Sequence, residues 1–257
     1  MRGYLSIGLA VAHALCVGAG HAVLGDIVGS FTAPDPVLRG LGRSTNYLYV
    51  LGLTGAPDIV FRCNPSTGSV YGSWSAPYIT ANRGLTVTEG NRVWISCYMN
   101  NFVYECAAGS GSVYGSWHAS HDPFGLAPLC TGDGGQGTTG IFSYDTDPNN
   151  IFLHNLTNGS VTRFFPLAHA TAYDFAYDHR NRLIWKYYLP NIYGYDTSTG
   201  SVVASFARPY PSTCYGLAYY GEYLWISAED GNISIVHCPG NVAVTPASVG
   251  RIKALFR

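Results

Sequence analysis

The chain has 257 residues, a formal net charge of −1 and only 11% charged residues. This balance argues against a basic surface for nucleic acid and against an acidic tail. The 14% aromatic content, with 20 tyrosines and 31 glycines, favours an all-β protein over a helical one.

The N-terminus is typical of an export signal. Arg2 precedes a mostly apolar stretch at residues 5–18, and residues 20–22 (GHA) approximate a small-x-small cleavage pattern. We expect residues 1–22 to be removed and the protein to be secreted, to an extracellular or periplasmic location. An uncleaved anchor is the alternative, although the stretch is shorter than the ~20 residues that span a bilayer. We expect no membrane span after cleavage.

One seven-residue phrase repeats along the chain. GSVYGSW and its weaker copies occupy residues 68–74, 111–117, 159–165 and 200–206. Successive copies begin 43, 48 and 41 residues apart. A period in this range indicates a propeller, a solenoid or an array of repeats.

Each repeat contains four short strand patterns. In the clearest unit, residues 215–220, 223–227 and 233–237 are apolar runs, and the turn at residues 229–232 contains Asp-Gly, which suits a tight hairpin. The repeated phrase supplies the fourth strand. Four antiparallel strands in one repeat predict a propeller blade. We therefore predict an all-β, five-bladed β-propeller over residues 23–246.

The second strand of each predicted blade carries a large ring at a matching place. These rings should fill the wedges between neighbouring blades. They are Tyr49, Trp94, Phe142, Trp185 and Trp225.

Closure of the ring is predicted to use the N-terminus. Residues 26–31 (DIVGSF) match the fourth-strand phrase but lack the three strands that should precede it. They should complete the last blade, because closure removes exposed sheet edges. Residues 241–246 (NVAVTP) are the alternative fourth strand. The C-terminal tail, residues 247–257, is basic and apolar, and it could drive self-assembly or be disordered.

Two families share parts of this pattern. Residues 215–227 and 192–206 carry G-L-x(5–9)-L-W-x-S and I-Y-x-x-D-x-x-T-G-S-V-x-x-S-F, and they resemble secreted bacterial propellers of the YVTN and NHL-like type. The five-blade count also resembles plant-type glutaminyl cyclotransferases, whose inner strands open with Gln-Gly-Leu. Here Arg, Phe or Tyr stands where that Gln would be, and Ser96 and Ser227 occupy the region of the expected strand-two acid. The resemblance implies a fold and little about function, because propellers host many activities.

Candidate binding residues lie where the inner strands begin. Loops leading into these strands share one face of a propeller, here called the top face, and loops on a rigid scaffold often carry recognition. The residues just before the Gly-Leu position should ring the mouth of the central channel: Arg39, Arg83, Phe124, Tyr173 and Tyr215. Arginines beside aromatic rings could hold a carboxylate, a sulfate or an acidic sugar. Alternatively, the arginines cap strand ends or pair with Asp35 and Glu89.

A histidine-rich segment precedes the third inner strand. His118, His121 and Asp122 lie in the sequence HASHD, and His169 is in the corresponding loop of the next blade. Such residues are possible zinc ligands, but no fourth ligand is specified. We count His121 among the predicted ligand-binding residues.

A second metal candidate is the segment YDTDPNN. Asp145, Asp147 and Asn149 alternate oxygen ligands as calcium loops do, although a Pro-Asn turn explains the segment equally well. We expect no cofactor unless this segment binds calcium. Residues 132–140 (GDGGQGTTG) have no lysine and open no helix, which indicates a strand connector rather than a phosphate-binding loop.

Six cysteines follow the predicted cleavage site. An even number in an exported protein favours disulfides. Cys106 and Cys130 are the one pair that we expect to come within bridging distance, and the other thiols should be buried and free.

The chain shows no nucleophile motif of the GxSxG, HExxH or CxxC kind. We therefore expect a non-catalytic binding or scaffold module that recognises a glycan, peptide or protein partner through its top face. A propeller enzyme acting at the channel mouth, similar to a cyclotransferase or a lyase, is the first alternative. A self-assembling structural repeat protein is the second.

Overall fold

The computed structural model describes residues 22–78, 80–146, 149–169 and 174–239. Within these residues, twenty strands form five four-stranded antiparallel sheets, and the only helical segment is the 3-10 turn Asp133–Gly135. The predicted five-bladed β-propeller is confirmed.

The strands run outward from the axis in each blade. Blade one contains β2 (Leu38–Arg43), β3 (Leu48–Gly52), β4 (Ile59–Cys63) and β5 (Val70–Ser75). Blade two contains β6 (Asn82–Thr88), β7 (Arg92–Cys97), β8 (Phe102–Ala107) and β9 (Val113–His118). Blade three contains β10 (Gly125–Leu129), β11 (Gly140–Asp145), β12 (Asn150–Asn155) and β13 (Val161–Pro166). Blade four contains β14 (Phe175–Asp178), β15 (Leu183–Tyr188), β16 (Asn191–Asp196) and β17 (Val202–Ala207). Blade five contains β18 (Cys214–Tyr220), β19 (Tyr223–Ala228), β20 (Asn232–His237) and β1 (Ile27–Thr32).

Blade five joins the two ends of the chain. Strand β1 pairs antiparallel with β20, with Ser30 opposite Ser234 and Phe31 opposite Ile233. The predicted N-terminal closure is therefore confirmed. The alternative strand at residues 241–246, the tail at residues 247–257 and residues 1–21 of the predicted signal lie outside the described residues.

The strand-two aromatic residues fill the spaces between blades, as predicted. Each of these rings is at most 5% exposed. Trp225 of blade five, for example, clusters with Leu41 and Leu48 of blade one. Burial of such large apolar surfaces between blades is the main force that holds the ring closed.

The repeated phrase stabilises the ring at its outer edge. Its first glycine adopts a left-handed turn, with φ between 69° and 72° in the four copies, and a Cβ there would collide with the previous blade. The colliding groups are the phrase-ending aromatic residues of the preceding blade in three cases and, at Gly200, mainly a backbone carbonyl beside Phe165. The contacts are Phe31 on Gly68, Trp74 on Gly111, Trp117 on Gly159, Phe165 on Gly200 and, closing the circle, Phe206 on Gly25. The glycine and the terminal aromatic residue therefore recur together because each blade's ring packs against the next blade's turn.

The six described cysteines are free and buried. The predicted Cys106–Cys130 disulfide is therefore wrong. Burial raises the pKa of the Cys106 thiol to about 12 and that of Cys130 to about 11. These thiols behave as small apolar side chains in the core. In the described part of the chain, no helix is long and apolar enough to cross a membrane.

Candidate functional site

The central channel is closed by close backbone contacts between inner strands. A Cβ added at Gly84 would meet the backbone of Gly125 and Leu126 at 2.6 Å, and one at Gly40 would meet the Leu85 nitrogen at 2.7 Å. Glycine is required where the inner strands approach this closely. The inner strands therefore close the channel rather than leave an open pore. We call the top-face surface above this closure, which forms its floor, the top basin.

An aspartate lies at the centre of this floor. Asp174 stands where the other inner strands have glycine, and it is only 1% exposed. Its carboxylate accepts backbone N–H bonds of 3.3 Å from Leu41, Leu126 and Leu217, which belong to blades one, three and five. Burial raises the pKa of Asp174 well above its ordinary value, and the backbone donors oppose that shift. One side chain thus ties four blades together on the axis.

The opposite end of the channel is covered by the glycine-rich connector. Asp133 accepts the Gly221 backbone N–H at 2.8 Å and the Arg180 guanidinium at 3.0 Å, and Gly135 accepts the Glu89 N–H at 3.1 Å. The space left inside the channel is about 20 Å³, room for roughly one water molecule. The connector is a structural element, as its sequence predicted.

The top basin is bordered by arginine–tyrosine pairs, which we call the arginine mouth: Arg39 with Tyr215, Arg83 with Tyr98, and Arg208 with Tyr187. The Arg39 guanidinium carbon lies 4.1 Å from the centroid of the Tyr215 ring, and that of Arg83 lies 4.8 Å from the Tyr98 ring. Arg208 donates from Nη1 to the Tyr187 hydroxyl at 2.8 Å. The rings hold each guanidinium in place without neutralising its charge.

Two of these arginines are not held in an ion pair, although the Asp58 carboxylate lies near enough to Arg83 for the two charges to interact. Among the described residues, neither Arg83 nor Arg208 makes an ion pair. The acids proposed from sequence as arginine partners are used elsewhere. Asp35 accepts from the backbone of Val37 and Thr54, and Glu89 accepts the Gly137 N–H at the opposite end of the channel. The mouth therefore presents positive charge beside aromatic surface.

The other predicted ligand-binding residues have different surroundings. Phe124 stacks on Tyr98, with ring centroids 5.2 Å apart, and so borders the same basin. Tyr173 lies outside the described residues. His121 is buried, and its Nε2 lies 2.6 Å from the Ser143 hydroxyl.

The calcium candidates are only partly described. Asp147 lies outside the described residues, Asp145 is buried, and the Asn149 side-chain oxygen accepts the Tyr144 hydroxyl at 2.6 Å. In the described ranges, no group of three or more His, Cys, Asp or Glu side chains is arranged to hold a metal ion. Calcium binding by this segment stays a prediction.

Sequence reasoning missed Tyr98, Arg208 and Tyr187. Arg208 lies in a loop that leads into an inner strand, and Tyr98 directly follows a second strand. The place of each residue in its blade could therefore be inferred from the sequence. Their pairing could not be inferred, because it depends on the conformations of the segments at the ends of these strands.

A buried lysine lies under the blade-four side of the basin. Lys186 is fully buried, and its Nζ donates to the His169 carbonyl at 2.8 Å and lies 3.9 Å from the centroid of the Tyr144 ring. Burial lowers the pKa of Lys186 to about 7. The equivalent residues in the other blades are Val50, Ile95, Ser143 and Ile226. With no exposed surface, this amine cannot meet a ligand in the structure described.

The fold and the site define the chain as a five-bladed β-propeller with a closed axis and an open top basin. No protein-family model and no curated protein matches the sequence. Solved structures that are similar in fold include two propeller proteins. Myxococcus xanthus glutaminyl cyclase aligns with a TM-score of 0.65 at 11% identity, covering 83% of this chain and 95% of that chain. The WD40 β-propeller domain of Doa1 aligns with a TM-score of 0.51 at 12% identity, covering 76% of this chain and 62% of that chain.

Proposed function

We propose that the protein is an exported binding module whose top basin recognises a carboxylate-bearing ligand, either an acidic glycan or a peptide. The observation that carries this proposal is the arginine mouth, in which Arg83 and Arg208 form no ion pair among the described residues. A guanidinium binds a carboxylate through two parallel hydrogen bonds, and the adjacent rings offer apolar surface to the ligand body. The signal-like residues 1–22 support export.

The test is an array of acidic and neutral glycans and peptides, probed with the wild type and with Arg39→Ala/Arg83→Ala. We expect the wild type to retain carboxylate-bearing ligands and the double variant to bind them at least about tenfold more weakly. Arg62→Ala/Arg92→Ala is the matched control, because both arginines lie over tyrosine rings away from the top face. Unchanged binding by the mouth variant would refute the proposal.

A second candidate is an enzyme, supported by the fold similarity to glutaminyl cyclase. The two titratable groups near the basin with the largest perturbations, Asp174 and Lys186, are both buried and bonded to backbone. A catalytic group must reach its substrate, so the geometry favours binding over catalysis. Ammonia release from peptides with N-terminal glutamine, measured beside the Myxococcus xanthus enzyme, distinguishes the two. Turnover that survives further purification would replace the binding proposal with the enzymatic one.

A further inference from the structure

A depression of about 480 Å³ lies between blades two and three at the rim of the top face. Its volume falls within the roughly 300–1,000 Å³ of small-molecule sites. It shares no residue with the arginine mouth, and among the described residues no lysine or arginine lines it. Its chemistry is therefore independent of the anion-binding basin.

The apolar part of the depression is a single phenyl ring. Phe152 is partly exposed, and its ring stacks on the His121 imidazole with centroids 4.0 Å apart and planes 19° apart. Because His121 supports the ring from one side, Phe152 is held as a rigid platform at the edge of the depression. A rigid aromatic platform binds a flat apolar surface with little loss of conformational entropy.

A chain of hydrogen bonds fixes the state of the supporting histidine. His154 Nδ1 lies 2.8 Å from the Gly159 carbonyl, which can only accept, so Nδ1 carries the hydrogen. His154 Nε2 then accepts from Ser143 at 2.8 Å, and Ser143 accepts from His121 Nε2 at 2.6 Å. Burial, with a smaller contribution from His154, lowers the pKa of His121 to about 3. The platform therefore rests on a neutral imidazole across the physiological pH range.

The polar part of the depression consists mainly of hydrogen-bond acceptors and carries negative charge. Asp122 is exposed and Asp145 is buried, and both line the space together with the Asn101 amide and the hydroxyls of Ser120 and Thr146. Ionised carboxylates accept hydrogen bonds and repel anions. The site therefore suits a ligand that has an apolar face and many hydroxyl donors but no negative charge.

We propose that this depression is a subsite for a neutral hexose. One face of a hexopyranose is made of C–H bonds, whose positive edges pack on the negative face of an aromatic ring. Its rim of hydroxyls donates to the two carboxylates and exchanges bonds with the amide and hydroxyl groups. An ammonium ligand would also be attracted by the carboxylates, but recognition of such a group uses a cage of several aromatic rings. Phe152 is the only aromatic carbocycle among the described lining residues.

The test is ligand titration followed by NMR or calorimetry on the full chain. The probes are the methyl glycosides of glucose, galactose and mannose, with methyl glucuronide and choline for comparison. We expect at least one neutral glycoside to bind saturably, and Phe152→Leu and Asp122→Asn each to weaken it at least about tenfold. Tyr71→Leu is the control, because Tyr71 is an exposed aromatic residue on the outer strand of blade one and does not line the depression.

Three results would overturn the subsite: no saturable binding of a neutral glycoside, equal binding by Phe152→Leu and Tyr71→Leu, or a preference for glucuronide or choline. Asp122 is exposed, so Asp122→Asn keeps the test decisive if Phe152→Leu does not fold. Arg39→Ala/Arg83→Ala should leave hexose affinity unchanged. That result separates failure of the subsite from failure of the arginine mouth.

Discussion

Blade four differs from the other four blades at two equivalent positions. Asp174 directly precedes its inner strand β14, at the position where the other blades have glycine, and its second strand carries Lys186 where the others have aliphatic residues or serine. The glycines let four inner strands touch, whereas Asp174 supplies acceptors to three of them. One of the five repeats therefore contributes a side chain to the axis, and the other four have glycine at that position. The close approach of the strands leaves room for only one such side chain.

Removing the Asp174 carboxylate from the axis should have the largest effect on stability. Asp174→Ala leaves the N–H groups of Leu41, Leu126 and Leu217 without this partner, and each buried unsatisfied donor costs about 1–3 kcal/mol. We expect a loss of several kcal/mol in the free energy of unfolding, measured by urea denaturation, which approaches the whole stability of a typical domain. Asp174→Asn, which keeps one acceptor oxygen and the same shape, should lose less. Equal stability of the wild type and Asp174→Ala would show that the axial bonds contribute nothing.

The sequence was sufficient to predict the blades but not this centre. The number of blades, the N-terminal closure and the buried strand-two rings follow from local periodicity, which is legible along the chain. The role of Asp174 arises from amides that are 133, 48 and 43 residues away in sequence and meet only on the axis. No periodic pattern in the sequence predicts that Asp174 and these amides come together on the axis.

The candidate site also contains residues that the sequence predicts and residues that it does not. Arg39, Arg83, Phe124 and Tyr215 were placed at the starts of inner strands by strand register alone. The partners Tyr98 and Arg208 depend on loop conformations, and the Phe152 platform depends on a loop histidine that stacks on a strand residue. These contacts have no repeating signal that a single sequence can reveal.

Replacing the buried Lys186 should have the next largest effect on stability, and this change should stabilise the protein. The pKa of Lys186 is about 7 when folded and about 10.4 when unfolded. Between these values the unfolded chain binds a proton that the folded protein lacks, so stability rises with pH by up to about 1.4 kcal/mol per unit. Below pH 7 the full penalty applies. We expect Lys186→Met to stabilise the protein most at pH 6 and least near pH 10, in urea denaturation at a series of pH values.

Ile226→Met in blade five is the matched control for this substitution. Ile226 occupies the equivalent strand-two position and is also fully buried. The change conserves apolar volume and should cost under about 1.5 kcal/mol, with no dependence on pH. A pH-independent difference between Lys186→Met and the wild type would mean that the amine is solvated or paired in solution.

The smallest loss of stability is expected on replacing the two serines that hold the inner strands of blades two and five. The strand pairing shifts register between Asn82 and Leu85 in blade two, and between Cys214 and Leu217 in blade five. A bulge leaves backbone groups without ladder partners. Here the Ser96 hydroxyl accepts the Gly84 N–H at 2.9 Å, and the Ser227 hydroxyl accepts the Gly216 N–H at 2.7 Å.

Each of these hydroxyls should contribute modestly and independently. Ser96→Ala and Ser227→Ala remove a buried acceptor from a backbone donor, so each should lower the free energy of unfolding by about 1–2 kcal/mol. The double variant should show the sum, because the residues lie in different blades and share no hydrogen-bond partner. Ser201→Ala, at an exposed position in the outer phrase, should stay within about 0.5 kcal/mol of the wild type. If both buried variants match that control, the bulged amides of blades two and five have another acceptor in solution.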